Sequence, residues 1–305
     1  MKKLSKNTLQ KLLVTCVLLL VLLLALITFS DGGTTPTWKE IGSALGITQE
    51  EQICDDYVKF IDVGQGDSIL ISSNGHNAMI DFGDNSDNGR ELLSKLDDYN
   101  IDDFDCLFMT HYDSDHIGGA DAVIDNFDVD NVIIPKKEGE KSSAYRQVEA
   151  SLEKTDANVV VAQTGKLITI GDFKIDIVGY YRNEDESNDR SLILLAEFDG
   201  VKFLFTGDAG KKIEYALMKE NIDLDCDVYK ASHHGSKYSN TEKFLKYITP
   251  EYTVISCGAN NSYGHPHEEV ISSLERVDSA IYRTDEEGDI TFYILNNDIV
   301  VETQK

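Results

Sequence analysis

Residues 111–116 read His-Tyr-Asp-Ser-Asp-His, so two imidazoles and two carboxylates fall within six positions. The apolar run Cys106-Leu107-Phe108-Met109 comes just before them and Gly118-Gly119 just after. That order predicts a tight loop at the end of a strand, with the glycines letting a helix begin close by. A hydrated solvent loop does not normally interleave His and Asp in this way. Neutral and anionic donors on one rigid edge suit a site for two divalent ions.

Three more turns rich in possible ligands each follow an apolar strand. Phe203-Leu204-Phe205-Thr206-Gly207-Asp208 ends on a carboxylate that could bridge two metals, although a Gly-Asp turn alone is a weak signal. Tyr229-Lys230-Ala231-Ser232-His233-His234-Gly235-Ser236 carries adjacent histidines; the alternative is a hydrogen-bonded core pair. The third turn runs from Ser256 through Gly258 to Tyr263-Gly264-His265-Pro266-His267. Six of the seven histidines lie in these turns and the first cluster, leaving only His76 on a polar hairpin. Strand ends in a layered sheet converge on one rim, so the turns are expected to meet.

The elements that must position them alternate from residue 54 onward. Fifteen strand-like segments run from Tyr57–Val63 to Ile299–Val301. Helical patterns cover 89–99, 118–126, 142–154, 211–220, 242–248 and 268–277. Some neighbouring strands join through hairpin signals such as Asp199-Gly200, and others through helices. That mixture predicts an α/β fold of layered sheets with helices outside.

The chain has 305 residues and a net charge of −26, a surface that repels nucleic acid and anionic lipid over most of its area. A phosphate-bearing substrate could bind only where metal or a local basic patch reverses the sign. Residues 12–29 are uncharged and almost wholly apolar, long enough as helix to reach ~27 Å, close to the ~30 Å hydrocarbon core of a bilayer. Four lysines precede that run, so residues 1–11 are expected in the cytoplasm, 12–29 as a transmembrane helix, 30–53 as a linker and 54–305 outside the cell. A cleaved signal peptide is the rival, but no clear small-x-small site follows. The five cysteines show no paired spacing, and Cys54, Cys106, Cys226 and Cys257 read as buried free thiols.

Taken in order, HxDxDH at 111–116, TGDA at 206–209, HHGS at 233–236 and YGHP at 263–266 resemble the metallo-β-lactamase fold. With Phe60-Ile61-Asp62-Val63-Gly64-Gln65-Gly66-Asp67-Ser68, the set is similar to the hydrolase domain of ComEC-type competence proteins. The resemblance spans about residues 55–300 and implies a four-layer αββα sandwich with a dinuclear site of Zn²⁺ or Mn²⁺ on one edge. Carried over, His111 and Asp113 hold one ion, Asp115 and His116 the other, and Asp208 bridges them. His234 ligates the second ion, with His233 facing substrate as a proton donor and His265 binding a phosphoryl oxygen. Asp81 orients the metal loop. Asp113 stands where the wider fold usually has His. No His occupies the region 187–192, where Ser191, Asn188 or water would complete the first site.

The activity implied is a membrane-anchored extracellular phosphodiesterase or nuclease acting on DNA, single-stranded DNA included. Two dications against Asp113, Asp115 and Asp208 would leave the site about one charge positive. Lys230, Lys237, Lys243 and Lys246 with Tyr238 could follow a nucleic-acid backbone and stack a base; the alternative is a solvated helix face. One membrane run cannot form a DNA channel, so a role in uptake would need a separate channel protein. The competing readings are a phosphodiesterase on a small or cell-surface ester such as phosphocholine, a lactone, thioester or β-lactam hydrolase, and a non-catalytic binding module. Gly64-Gln65-Gly66-Asp67 reads as a tight hairpin rather than a phosphate cradle.

Overall fold

The computed structural model describes residues 55–305, apart from 85, 137–141, 182, 183 and 185. The apolar run 12–29, the linker 30–53, Cys16 and Cys54 lie outside the described residues. Among the described residues no helix is long and apolar enough to cross a membrane.

Short β-rich segments separated by two-residue turns form antiparallel pairs. β9 (Leu192–Phe198) returns as β10 (Val201–Phe205) across Asp199 and Gly200, whose φ values of 51° and 83° suit the twist of a hairpin. Parallel neighbours need a helical crossover. In the first sheet, β3 (His76–Phe82), β4 (Asp103–Phe108), β5 (Asp128–Ile134) and β6 (Asn158–Val161) are parallel. Their crossovers carry α1 (Arg90–Asp98), α2 (Ser114–Ile117) with α3 (Ala120–Asn126), and α4 (Ser143–Leu152). β1 (Tyr57–Phe60), β2 (Ser68–Ser73), β14 (Ile290–Leu295) and β15 (Asp298–Thr303) complete the order β15-β14-β1-β2-β3-β4-β5-β6.

The second sheet runs β13-β12-β11-β10-β9-β8-β7. It adds β7 (Leu167–Ile170), β8 (Phe173–Tyr180), β11 (Val228–Lys230), β12 (Tyr252–Ile255) and β13 (Ala280–Arg283). β10 to β13 are parallel, linked through α5 (Lys211–Glu220), α6 (Glu242–Ile248) and α7 (Glu268–Glu275).

Side-chain alternation sets the layers. In β4, Cys106 and Phe108 point between the sheets, where Phe60 meets Phe292 at a 5.7 Å ring separation. Leu107 and Met109 face the other way, against Leu92 and Leu96 of α1 and Val123 of α3. On the far side Leu204, Tyr229 and Ile255 pack under Leu217, Phe244 and Leu274 of the second helical layer. Each buried Phe or Leu contributes about 1.5–3 kcal/mol, so three continuous apolar layers hold the stack together. Parallel strands of both sheets deliver their C-terminal ends to one rim, and those ends carry the His- and Asp-rich turns. Cys106, Cys226 and Cys257 are buried free thiols, and burial pushes that of Cys106 up to about 12.

Candidate metal centre

Asp81, at the end of β3 with a left-handed φ of 57°, organises the first ligand loop. Its Oδ1 accepts the Thr110 amide at 2.8 Å, and its Oδ2 accepts the Thr110 hydroxyl at 2.6 Å and His116 Nδ1 at 2.7 Å. The Thr110 hydroxyl has spent its hydrogen on Asp81, so at 3.1 Å it accepts from His111 Nδ1. Both rings are therefore protonated at Nδ1 and present Nε2 to the rim. Gly66 makes room for this loop: a Cβ there would sit 2.3 Å from the Asp115 carbonyl oxygen.

The second sheet supplies the opposing donors. Gly207 (φ 50°) brings the strand end against Ser191 and Thr110 side chains, at 2.9 and 3.0 Å from a notional Cβ. Asp208 follows, its amide donating to Ser191 Oγ at 3.1 Å. His233 and His234 both adopt left-handed φ, 51° and 52°, a conformation costing about 1–3 kcal/mol per residue. A buried network holds the strained turn. Asn240 Oδ1 accepts the Ser232 amide at 2.9 Å, and its amide donates to the Ser232 carbonyl at 2.8 Å. Glu214 in turn accepts from the Asn240 and Thr241 amides and the Thr241 hydroxyl. His234 Nδ1 donates to the Ser256 carbonyl at 3.0 Å, which leaves its Nε2 facing the rim.

Five expected ligands converge. His116 Nε2 lies 3.2 Å from Asp208 Oδ1, and His234 Nε2 lies 3.4 Å from Asp115 Oδ2 and 3.6 Å from Asp208 Oδ2. His111, His116 and Asp208 offer atoms within 4.8 Å of one another, as do Asp115, His116 and His234. Asp113 stands at the rim, 3.8 Å from His111 Nε2, with its side chain 42% exposed. His233 Nε2 is 3.7 Å from Asp208 Oδ2, and the His265 ring centre is 5.5 Å from that of His233. Ser191 Oγ sits 3.4 Å from Nδ1 of His111, on the side away from the convergence, and Asn188 reaches His233 Nδ1 at 3.4 Å.

Charge accounts for the ionisation of these groups. Burial opposes a proton on His116, but Asp208 and Asp81 outweigh it and hold the pKa well above the usual imidazole value. His234 is likewise raised to about 9, with burial overcome by Asp208 and Asp67. Burial alone would raise Asp208, yet His234 and His116 hold it well below the carboxylate range. Burial and the imidazoles around it push His265 down to about 4.

Whether a divalent cation fits can be read from unpartnered atoms. Nε2 of His111, His116 and His234 and Oδ1 of Asp208 are buried without a hydrogen-bond partner. Such atoms are rare in folded proteins, and these four face one another. Imidazole nitrogen with carboxylate oxygen is the donor set that Zn²⁺ and Mn²⁺ accept.

Two residues behind the site differ from their sequence reading. Asp67 is not simply part of a hairpin turn: it is buried, with Oδ1 2.7 Å from Lys230 Nζ and 3.2 Å from His234 Nδ1. Lys230 is 1% exposed, so it cannot line a nucleic-acid path. Of the other lysines in that stretch, Lys246 pairs with Glu242 and Lys243 lies over Tyr215, leaving Lys237 beside Tyr238. Asp67 and Asp81 add two carboxylates to the expected three, against one ammonium. Two dications would therefore bring the cluster to balance rather than to a positive surplus. The signal available in the sequence was a lysine inside an otherwise apolar strand, which must find a buried anion.

The profile of the metallo-beta-lactamase superfamily matches residues 61–259. ComE operon protein 3 of Bacillus subtilis (strain 168) is 31% identical over 257 residues, covering 78% of this chain and 33% of that protein. Recombination protein 2 of Haemophilus influenzae is 27% identical over 239 residues, covering 76% of this chain and 28% of that protein. The chain thus spans about a third of the length of these curated relatives. Among solved structures, the metallo-beta-lactamase fold protein YhfI from Bacillus subtilis superposes with a TM-score of 0.52 at 12% identity, covering 75% of this chain and 96% of YhfI.

Proposed function

This chain belongs to the metallo-beta-lactamase superfamily and resembles ComEC-type competence proteins, and from that premise we propose that it is a metal-dependent phosphodiesterase acting on DNA. The observation that carries the proposal is the convergence of four buried, unpartnered donor atoms from both sheets at a rim open to solvent through Asp113 and His233. Two divalent ions, Zn²⁺ or Mn²⁺, would be held by His111 and Asp113 on one side and by Asp115, His116 and His234 on the other, with Asp208 shared. Bound there, they would acidify a water and neutralise charge on the phosphoryl oxygens.

The remaining work falls to the protein's own groups. Asn188 has only hydrogens to offer His233 Nδ1, so the ring's proton sits on Nε2, directed at the rim. His233 is thereby set to donate an Nε2 hydrogen bond to the departing oxygen and stabilise the charge that develops there. His265, neutral at neutral pH, contributes a hydrogen bond without a charge. Asp81, Thr110 and Ser256 fix the tautomers of the three inner rings, and Lys230 with Asp67 fills the space behind His234.

The same proposal places this domain outside the cell on the apolar run 12–29, with any passage of DNA across the membrane left to another protein. The test is hydrolysis of bis(p-nitrophenyl) phosphate by the purified full-length chain with Zn²⁺ or Mn²⁺. Turnover that disappears with chelator is expected. A chain that binds two ions and hydrolyses no phosphodiester would overturn the proposal in favour of lactone or thioester chemistry.

A further inference from the structure

Beyond the ligands, a series of rings leads from the buried centre to solvent. His265 lies 6.2 Å from His234 at 30°, and Tyr263 lies 5.6 Å from His265 at 20°, so the rings are nearly parallel. His234 is 1% exposed, while Tyr263 is 64% exposed, with its inner face against His265. Asn261 stiffens the loop between them. Its Oδ1 accepts the amides of Tyr263 at 3.1 Å and His265 at 3.0 Å, and its amide donates to the His265 carbonyl at 2.6 Å. An exposed aromatic held flat by its own loop binds a planar partner with little ordering cost.

We propose that Tyr263, backed by His265, is a platform on which one nucleobase of a single-stranded nucleic acid stacks while its neighbouring phosphate reaches the rim. This rests on the phosphodiesterase reading. Two features favour a base over the quaternary ammonium of a choline ester. Tyr263 offers one open face, whereas ammonium recognition uses several converging rings. The second exposed tyrosine, Tyr238 at 66%, already has Lys237 Nζ 5.8 Å from its ring centre. That resident cation repels a quaternary ammonium and attracts a phosphodiester backbone.

The experiment measures fluorescence anisotropy of the metal-loaded full-length chain with a cleavage-resistant phosphorothioate oligothymidylate and with an abasic chain of equal length and charge. Tyr263→Ala should weaken binding of the oligothymidylate about tenfold and Tyr263→Phe by no more than about twofold, because base stacking needs the ring and not the hydroxyl. The abasic chain should bind wild type and Tyr263→Ala equally. Equal weakening towards both polymers would mean that Tyr263 only supports the loop, and equal affinity of both proteins for the oligothymidylate would mean that no base stacks there; either overturns the platform. Competition by phosphocholine that depends on Tyr263 while oligothymidylate binding does not would also overturn it. Absence of bis(p-nitrophenyl) phosphate hydrolysis would sink the phosphodiesterase reading alone, since base-dependent binding is read separately.

Discussion

Two buried aspartates, Asp208 and Asp289, sit in polar clusters whose hydrogen bonding is opposite in completeness. Asp289, beside β14, has both oxygens engaged: Oδ1 takes Lys95 Nζ and the Asp62 amide, each at 2.8 Å, and Oδ2 takes the Tyr99 hydroxyl. Asp208 Oδ1 has no hydrogen-bond donor, and the imidazoles around it turn unpartnered Nε2 atoms inward. Closure marks the Asp289 group as part of the scaffold. Incompleteness marks the Asp208 group as a place where something else binds, because folded proteins rarely leave several buried polar atoms unmatched at one point.

The largest expected effect would break this contrast at its open end. Asp208→Ala should reduce phosphodiester hydrolysis by more than the ~10–100-fold typical of losing an outer partner of a metal ligand, and should lower the stoichiometry of bound divalent ion in calorimetry. A variant that retained wild-type turnover and two bound ions would remove Asp208 from the site. At the closed end, Asp289→Ala should cost about 2–3 kcal/mol in denaturant unfolding, since it leaves Lys95 and Tyr99 unmatched at a mostly buried position. Metal stoichiometry should not move; if it did, the two clusters would be one system.

Asp81→Asn sharpens the comparison further. The side chain keeps its shape, but the carboxylate that holds the His116 Nδ1 proton is gone, so metal affinity should fall ~10–100-fold with little change in stability. The smallest effect is in pH. Asp289 has a depressed pKa, its burial outweighed by Lys95 and Tyr99, so its contribution is full above the unfolded carboxylate value of about 4 and is lost as pH falls through the lower folded one. His234 is raised to about 9, so its contribution in chelated protein is full below about 6.5 and is lost as pH rises through 9. Thermal melts of chelated protein should therefore weaken on both limbs, the acid limb flattened by Asp289→Asn and the alkaline limb by saturating metal.

Much of this was legible beforehand because the signals are local. A run such as Phe203–Phe205 followed by Thr-Gly-Asp can hardly be anything but a strand meeting a turn, and all fifteen strand segments appear within a few residues of their expected bounds. The one-turn helices Ser114–Ile117 and Thr284–Glu287 went unseen, being too short to show a period. The convergence of the His- and Asp-rich turns followed from strand ends sharing a rim. What could not be read was pairing across distance. Asp67 lies in the turn before β2 and Lys230 in β11; a lysine in an apolar strand signals the need for a buried anion, but nothing local says which one. The identity of the partner exists only in the buried contact.

The donors of the candidate centre are divided between the two halves of the chain. His111, Asp113, Asp115 and His116 lie on the turn that follows β4 of the first sheet, and Asp208 and His234 on the turns that follow β10 and β11 of the second. No fragment that has folded only one sheet owns a complete site. An ion captured at the seam acts as a clasp, and free metal at a hundredfold excess over its dissociation constant would add about 2.7 kcal/mol to the closed state. On the proposed activity a chain still being synthesised would be inert, and so would a mispacked one, because the ligand set is complete only in the finished sandwich.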